Sequence, residues 1–136
     1  LDTLRRELAM AVILITHDLG IVAQWADRVV VMYAGRKIEQ GPPATLFANP
    51  LHPYTRGLLA ASPRLDGGVH YRTAPLAEIP GSIVSAAGET GCPFRPRCPV
   101  ARPSCGDFVP LPEAVAPGHL VACPYQDPAD AHPFRH

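Results

Sequence analysis

Leu1, Leu4, Leu8 and Ala11 recur at helical spacing with Asp2, Arg5, Arg6 and Glu7 between them, so the pattern predicts an amphipathic helix already under way at the first residue. Val12 to Ile15 follows as an unbroken apolar run ending in Thr16-His17-Asp18, the form of a short strand buried on both faces. Asp18 suits the cap of a helix whose apolar stripe is Leu19, Val22, Ala23 and Ala26. Val29 to Met32 predicts a second buried strand, which Ala34-Gly35 turns into a hairpin with Arg36 to Gln40. This β-α-β order predicts parallel pairing with a right-handed crossover. Farther along, Pro53 can open a short helix with Tyr54, Leu58 and Ala61 on one face, closed by Ser62-Pro63. Ile79-Pro80-Gly81-Ser82 reads as a turn. Trp25, Phe94, Phe108 and Tyr125 are assigned to the core, and residues 126–136 to a loosely ordered tail whose His132 and His136 carry no metal-binding signal.

Proline divides the chain. All 17 prolines lie between Pro42 and Pro133, and the four cysteines share that part, which therefore cannot consist mainly of long helices and central strands. The first part is α/β, yet two parallel strands and a hairpin leave open edges and are marginal alone. With no initiator Met and a start inside a helix, the chain is expected to be the C-terminal portion of something larger. Charge adds an exclusion: 12 Lys plus Arg against 12 Asp plus Glu give no net charge to draw the chain to nucleic acid or anionic lipid. Met10 to Ile15 and Val29 to Tyr33 fall well short of the roughly 20 apolar residues that span a bilayer, so no direct membrane span is expected. No export signal is present, and an intracellular location is expected.

The stretches Val12-Ile13-Leu14-Ile15-Thr16-His17-Asp18-Leu19 and Ala26-Asp27-Arg28-Val29-Val30-Val31-Met32-Tyr33-Ala34-Gly35-Arg36 closely resemble the end of the nucleotide-binding domain of ATP-binding-cassette (ABC) transporters. Gly41-Pro42-Pro43, Leu46-Phe47, Asn49-Pro50 and His52-Pro53-Tyr54-Thr55 resemble the subgroup that imports oligopeptides, dipeptides and sometimes nickel, and the cysteine-bearing tail resembles its C-terminal extension. The resemblance implies a C-terminal fragment of a P-loop NTPase domain followed by a small, Pro-rich, irregular extension. On that basis residues 1–41 end the nucleotide-binding domain, 42–63 form a helical connector, 64–125 the extension and 126–136 the tail. It further implies ATP with Mg in the complete subunit, and permease subunits and a second ATP-binding subunit as partners. The expected location is the inner face of the cell membrane, as a peripheral cytoplasmic subunit. The family's glycine-rich phosphate loop, glutamine loop, signature sequence and catalytic glutamate do not occur in these 136 residues, so the chain is expected to be inactive by itself.

His17 falls on the family's switch histidine. At the junction of a buried strand and a helix it would lie at the carboxyl edge of the sheet, where open α/β folds bind ligands. The resemblance implies contact with the γ-phosphate, while a histidine in that position can also merely end a strand and bond nearby backbone. Asp18 is read as a helix cap and not as a catalytic carboxylate.

Cys92, Cys98, Cys105 and Cys123 are separated by five, six and seventeen residues, without the Cys-x-x-Cys knuckle of structural zinc. Three of them precede proline, which removes an amide and stiffens the loop at a ligand; Cys-Pro steps also follow ligands in bacterial ferredoxins. Arg95, Arg97 and Arg102, interleaved with the first three, could offset the charge of a four-thiolate cluster. The resemblance implies a [4Fe-4S] cluster on the four cysteines; zinc and no metal remain alternatives, and His119 is a spare ligand candidate. A different class of function also stands open: a non-enzymatic, stand-alone metal or iron–sulfur module for which residues 1–41 are only a platform.

Overall fold

The computed structural model describes residues 2–61, 79 and 81–125. It is a mixed helix and sheet structure. Helix α1 spans Asp2–Leu8 and α2 Leu19–Trp25, where Asp18 accepts from the Ile21 amide at 3.1 Å, as its capping role requires. Strands β1 (Val29–Tyr33) and β2 (Arg36–Gly41) form the expected hairpin, and Ala34 and Gly35 take φ of 49° and 77°, the left-handed pair that a two-residue turn of primed type requires. Helices α3 (Pro43–Ala48) and α4 (Pro53–Ala61) follow, each with proline in its first turn. The helix expected from Pro53 is present; Pro53, Thr55 and Gly57 are its buried residues, and Tyr54 packs against the core. Its Ser62-Pro63 stop and the 126–136 tail lie outside the described residues, as does Pro80 of the Ile79–Ser82 turn.

Beyond residue 81 the backbone runs in 3-10 turns, Ile83–Gly88, Arg95–Arg97 and Pro103–Gly106, as its proline density demands. It ends in β3 (Glu113–Ala116) and β4 (His119–Val121). The sheet has the order β1-β2-β4-β3 and every pairing is antiparallel, with Glu39 opposite Val121 and Gln40 opposite Leu120.

That topology corrects the parallel β-α-β expectation. Residues 10–15 form no strand, and Ile13 and Ile15 are 92% and 94% exposed. An all-apolar strand needs partners on both edges and layers on both faces, and nothing among the described residues supplies them. For the same reason α1 and α2 bury no residue, and Trp25, assigned to the core, is 44% exposed. β1 is likewise no doubly buried strand: its exposure alternates until Tyr33, because it lies at the sheet edge.

The core lies elsewhere. Tyr33, Ile38 and Phe94 form its centre, with Tyr54, Ile79, Ala86, Cys92 and Cys98 packed around them. The rings of Tyr33, Tyr54 and Phe94 meet edge to face at centroid distances of 4.7, 5.2 and 5.4 Å, which joins hairpin, α4 and cysteine loops in one cluster.

A candidate four-cysteine site

Each cysteine is placed by a tight local turn. At Cys92 the backbone N–H donates to the Cys105 carbonyl at 2.8 Å, tying the first and third cysteine loops together. Such an approach demands glycine at 91, where a Cβ would overlap the Cys105 carbonyl oxygen and Gly106 backbone. The Cys105 sulfur in turn accepts from the Arg102 amide at 3.4 Å.

The Cys-Pro steps have a direct geometric effect. Proline fixes the chain and has no N–H, so the amide two residues after the cysteine folds back onto the sulfur. Phe94 and Arg95 amides act on Cys92, the Val100 amide on Cys98 and the Tyr125 amide on Cys123, each favouring thiolate. Burial opposes them and prevails: it pushes the Cys98 thiol up to about 12 and raises Cys92 and Cys123, with the neighbouring cysteines adding to the rise. Without a bound cation these three cysteines are held as thiols, and a cation would reverse that balance.

All four cysteines line one small cavity partly open to solvent, together with His52, Phe94, Arg95 and Phe108 among others. Phe108, assigned to the core, is 42% exposed at the rim of this opening. Among the described residues no three His, Cys, Asp or Glu side chains close around a point that one metal ion could occupy. Zinc bound by four sulfurs needs such a point, with every sulfur about 2.3 Å away. Four cysteines on one cavity lining, three with an amide from a Cys-Pro turn, are a donor set of the kind that thiolate-bound metal groups use.

The arginines are deployed differently from the expectation. Only Arg95 lines the cavity, with Nε 3.0 Å from Glu89 Oε1. Arg97 donates to the Tyr33 hydroxyl at 3.2 Å and the Ile79 carbonyl at 3.3 Å, and Arg102 lies over the Tyr125 ring at 4.1 Å. Tyr125 also shares a 2.6 Å hydrogen bond with Ser104.

His119, the spare ligand candidate, faces away from this chemistry. It is buried on β4, with Nε2 2.8 Å from Glu39 Oε1. Glu39 on β2 is fully buried and also accepts from the Leu51 amide at 2.9 Å and the His52 amide at 2.9 Å. One carboxylate thus fastens hairpin, β4 and the start of α4, with its charge met by three donors. His52 is buried beside it; burial first, and the charge of Arg56 second, lower its pKa to about 3. Sequence reasoning missed Glu39 and His52 as buried polar centres. The Glu39 signal, a charge on a short amphipathic strand, is the ordinary mark of a solvated face.

His17 is exposed in the irregular stretch just before α2, away from the cysteine cavity lining. No helix among the described residues is long and apolar enough to cross a membrane.

The family described as oligopeptide/dipeptide transporter, C-terminal region, matches residues 38–105, a span that includes Cys92, Cys98 and Cys105. The oligopeptide transport ATP-binding protein OppD of Salmonella typhimurium (strain LT2) is 48% identical over 124 residues, covering 90% of this chain and 36% of that protein. OppD of Escherichia coli (strain K12) is 46% identical over 124 residues, again 90% of this chain and 35% of that protein. The chain therefore spans about a third of the length of these relatives. Nothing in these matches supports a stand-alone iron–sulfur module.

Proposed function

The chain belongs to the oligopeptide/dipeptide transporter C-terminal region family, and from that membership we propose that it forms the C-terminal part of the ATP-hydrolysing subunit of a peptide importer. The observation that carries this reading is 48% identity, over nine-tenths of the chain, to a protein named for oligopeptide transport and ATP binding. Residues 1–41 would complete the nucleotide-binding domain of P-loop type, 42–63 connect it, 64–125 form the extension and 126–136 the tail. The exposed Met10–Ile15 run supports this division, because six consecutive apolar residues left unpaired and in solvent are what a buried strand parted from its sheet would be.

In the complete subunit, the missing part would bind ATP with Mg, and His17, exposed here, would contact the γ-phosphate. Closure of two such subunits and reopening on hydrolysis would drive the permease subunits, placing the chain on the cytoplasmic face of the membrane. Cys92, Cys98, Cys105 and Cys123 would hold a [4Fe-4S] cluster. When bound, that group supplies metal–thiolate bonds that staple loops lacking a large apolar core. The chain's own part is to present four sulfurs to one cavity, favour their thiolates with backbone amides, and fasten the cavity to the hairpin through Phe94 and Glu39.

The test uses a full-length subunit. His17→Ala should leave ATP affinity near wild type and lower turnover by about 100-fold, since the contact is made to charge developing in the transition state. An unchanged turnover with a raised KM contradicts the assignment. Anaerobically purified wild type should carry about four irons with sulfide, and Cys105→Ser should lose them and expose new protease sites between Gly91 and Cys123.

A further inference from the structure

His52 is fixed from several sides at the cavity wall. Its backbone N–H donates to Glu39 Oε2 at 2.9 Å, and its carbonyl accepts from the Arg56 amide at 3.1 Å. Ring Nδ1 accepts from the Tyr54 amide at 3.0 Å. The ring packs 5.9 Å from Phe94 and lines the same cavity as the four cysteines. A neutral imidazole has one N–H, so a ring whose Nδ1 accepts a backbone proton carries its own proton on Nε2. The one polar atom of the ring not engaged in these bonds is therefore a donor, on a wall shared with the four cysteines, Arg95, Tyr125 and apolar side chains.

We propose that His52 is a positioning residue for the metal–thiolate group, with Nε2–H donating to a cysteine or cluster sulfur in the cavity. This rests on the reading that the four cysteines hold such a group. A hydrogen bond to sulfur is stronger when the sulfur carries more negative charge, so it stabilises the reduced state and raises the reduction potential. Glu39 acts one step back, because its carboxylate holds the His52 amide and, through His119 and Leu51, the elements that carry it.

Two substitutions separate the nitrogens. In His52→Asn the amide oxygen can replace the Nδ1 acceptor while the Nε2 donor is lost; in His52→Gln the amide nitrogen reaches the Nε2 position. Wild type and both variants are purified anaerobically and assayed for iron, sulfide, midpoint potential and loss of iron to a chelator. The expected result is equal loading, a more negative midpoint and about tenfold faster iron loss in His52→Asn, and near wild-type values in His52→Gln. Equal potentials and rates in wild type and His52→Asn overturn the proposal, as does a His52→Gln that shifts as far as His52→Asn. In wild-type protein labelled with 15N-histidine, pulsed EPR of the reduced state should detect a weak nitrogen coupling; its absence overturns the proposal without any variant. Wild type that holds neither iron nor sulfide overturns the cysteine reading itself, an outcome distinct from a loaded protein indifferent to His52.

Discussion

Between Met10 and Ile15 six consecutive nonpolar side chains stand in solvent, whereas in the proline-dense stretch around the cysteines Phe94 is only 1% exposed. The first region is the more apolar and has regular helices on either side; the second is broken by proline at nearly every turn. Hydrophobic content sets how much a segment gains by burial but does not supply the surface that buries it. The first region's partners are not among the described residues, while the second closes on itself through Tyr33, Tyr54 and Phe94, contributed by the hairpin, α4 and a cysteine loop.

That contrast can be broken most forcefully at Gly91. Gly91→Ala puts a Cβ into the Cys105 carbonyl and Gly106 backbone, groups that cannot rotate away, so the two cysteine loops must separate. A loss of about 4 kcal/mol in urea unfolding of the chain is expected, at the severe end for overpacking. A variant as stable as wild type would show that the close approach does not hold the second region together.

Glu39→Ala comes next, with an expected loss of about 3 kcal/mol, because it leaves His119 and the Leu51 and His52 amides buried without their acceptor. Adding His119→Leu should recover part of that loss by removing one orphaned group, and a double variant no better than the single one refutes the buried-pair account.

Acid sharpens the comparison further. In the fold His52 stays neutral down to about pH 3, against 6.5 in the unfolded chain, so between those values the unfolded state binds the extra proton. Stability contributed by this group is complete above pH 6.5 and drains as pH falls toward 3, by about 1.4 kcal/mol per pH unit at most. Urea midpoints across that range should show the slope, and His52→Gln should flatten it; an equal slope in the variant assigns the proton elsewhere.

The smallest effect is expected in the first region. Ile13→Ser should change the stability of this chain by less than about 0.5 kcal/mol, because the side chain is 92% exposed. In the full-length subunit the same change should be clearly destabilising if the run packs in a complete sheet. A large loss in the short chain would mean that residues 10–15 already have a partner.

Much was legible along the chain where the signal is local. Asp18 caps α2, Ala34-Gly35 turns the hairpin and Pro53 opens α4, each through the conformational preference or hydrogen-bonding reach of one or two residues. The Cys-Pro steps likewise announced themselves, because a missing amide and a fixed φ act within two residues. The expected parallel pair does not form because Val12 to Ile15 makes no strand, and the β2–β4 pairing had no local mark, since apolar runs state that strands want burial without stating which edge they meet, and Leu120 and Val121 reach β2 from about eighty residues away. Burial of Glu39 and His52 had no local mark, because it depends on His119 and Phe94 arriving from distant sequence. Sequence by itself therefore determined the turns, the caps and the family. Only the tertiary structure decided that four cysteines share a cavity with a buried histidine, because convergence of that kind comes from long-range packing rather than from any residue's preference for its neighbours.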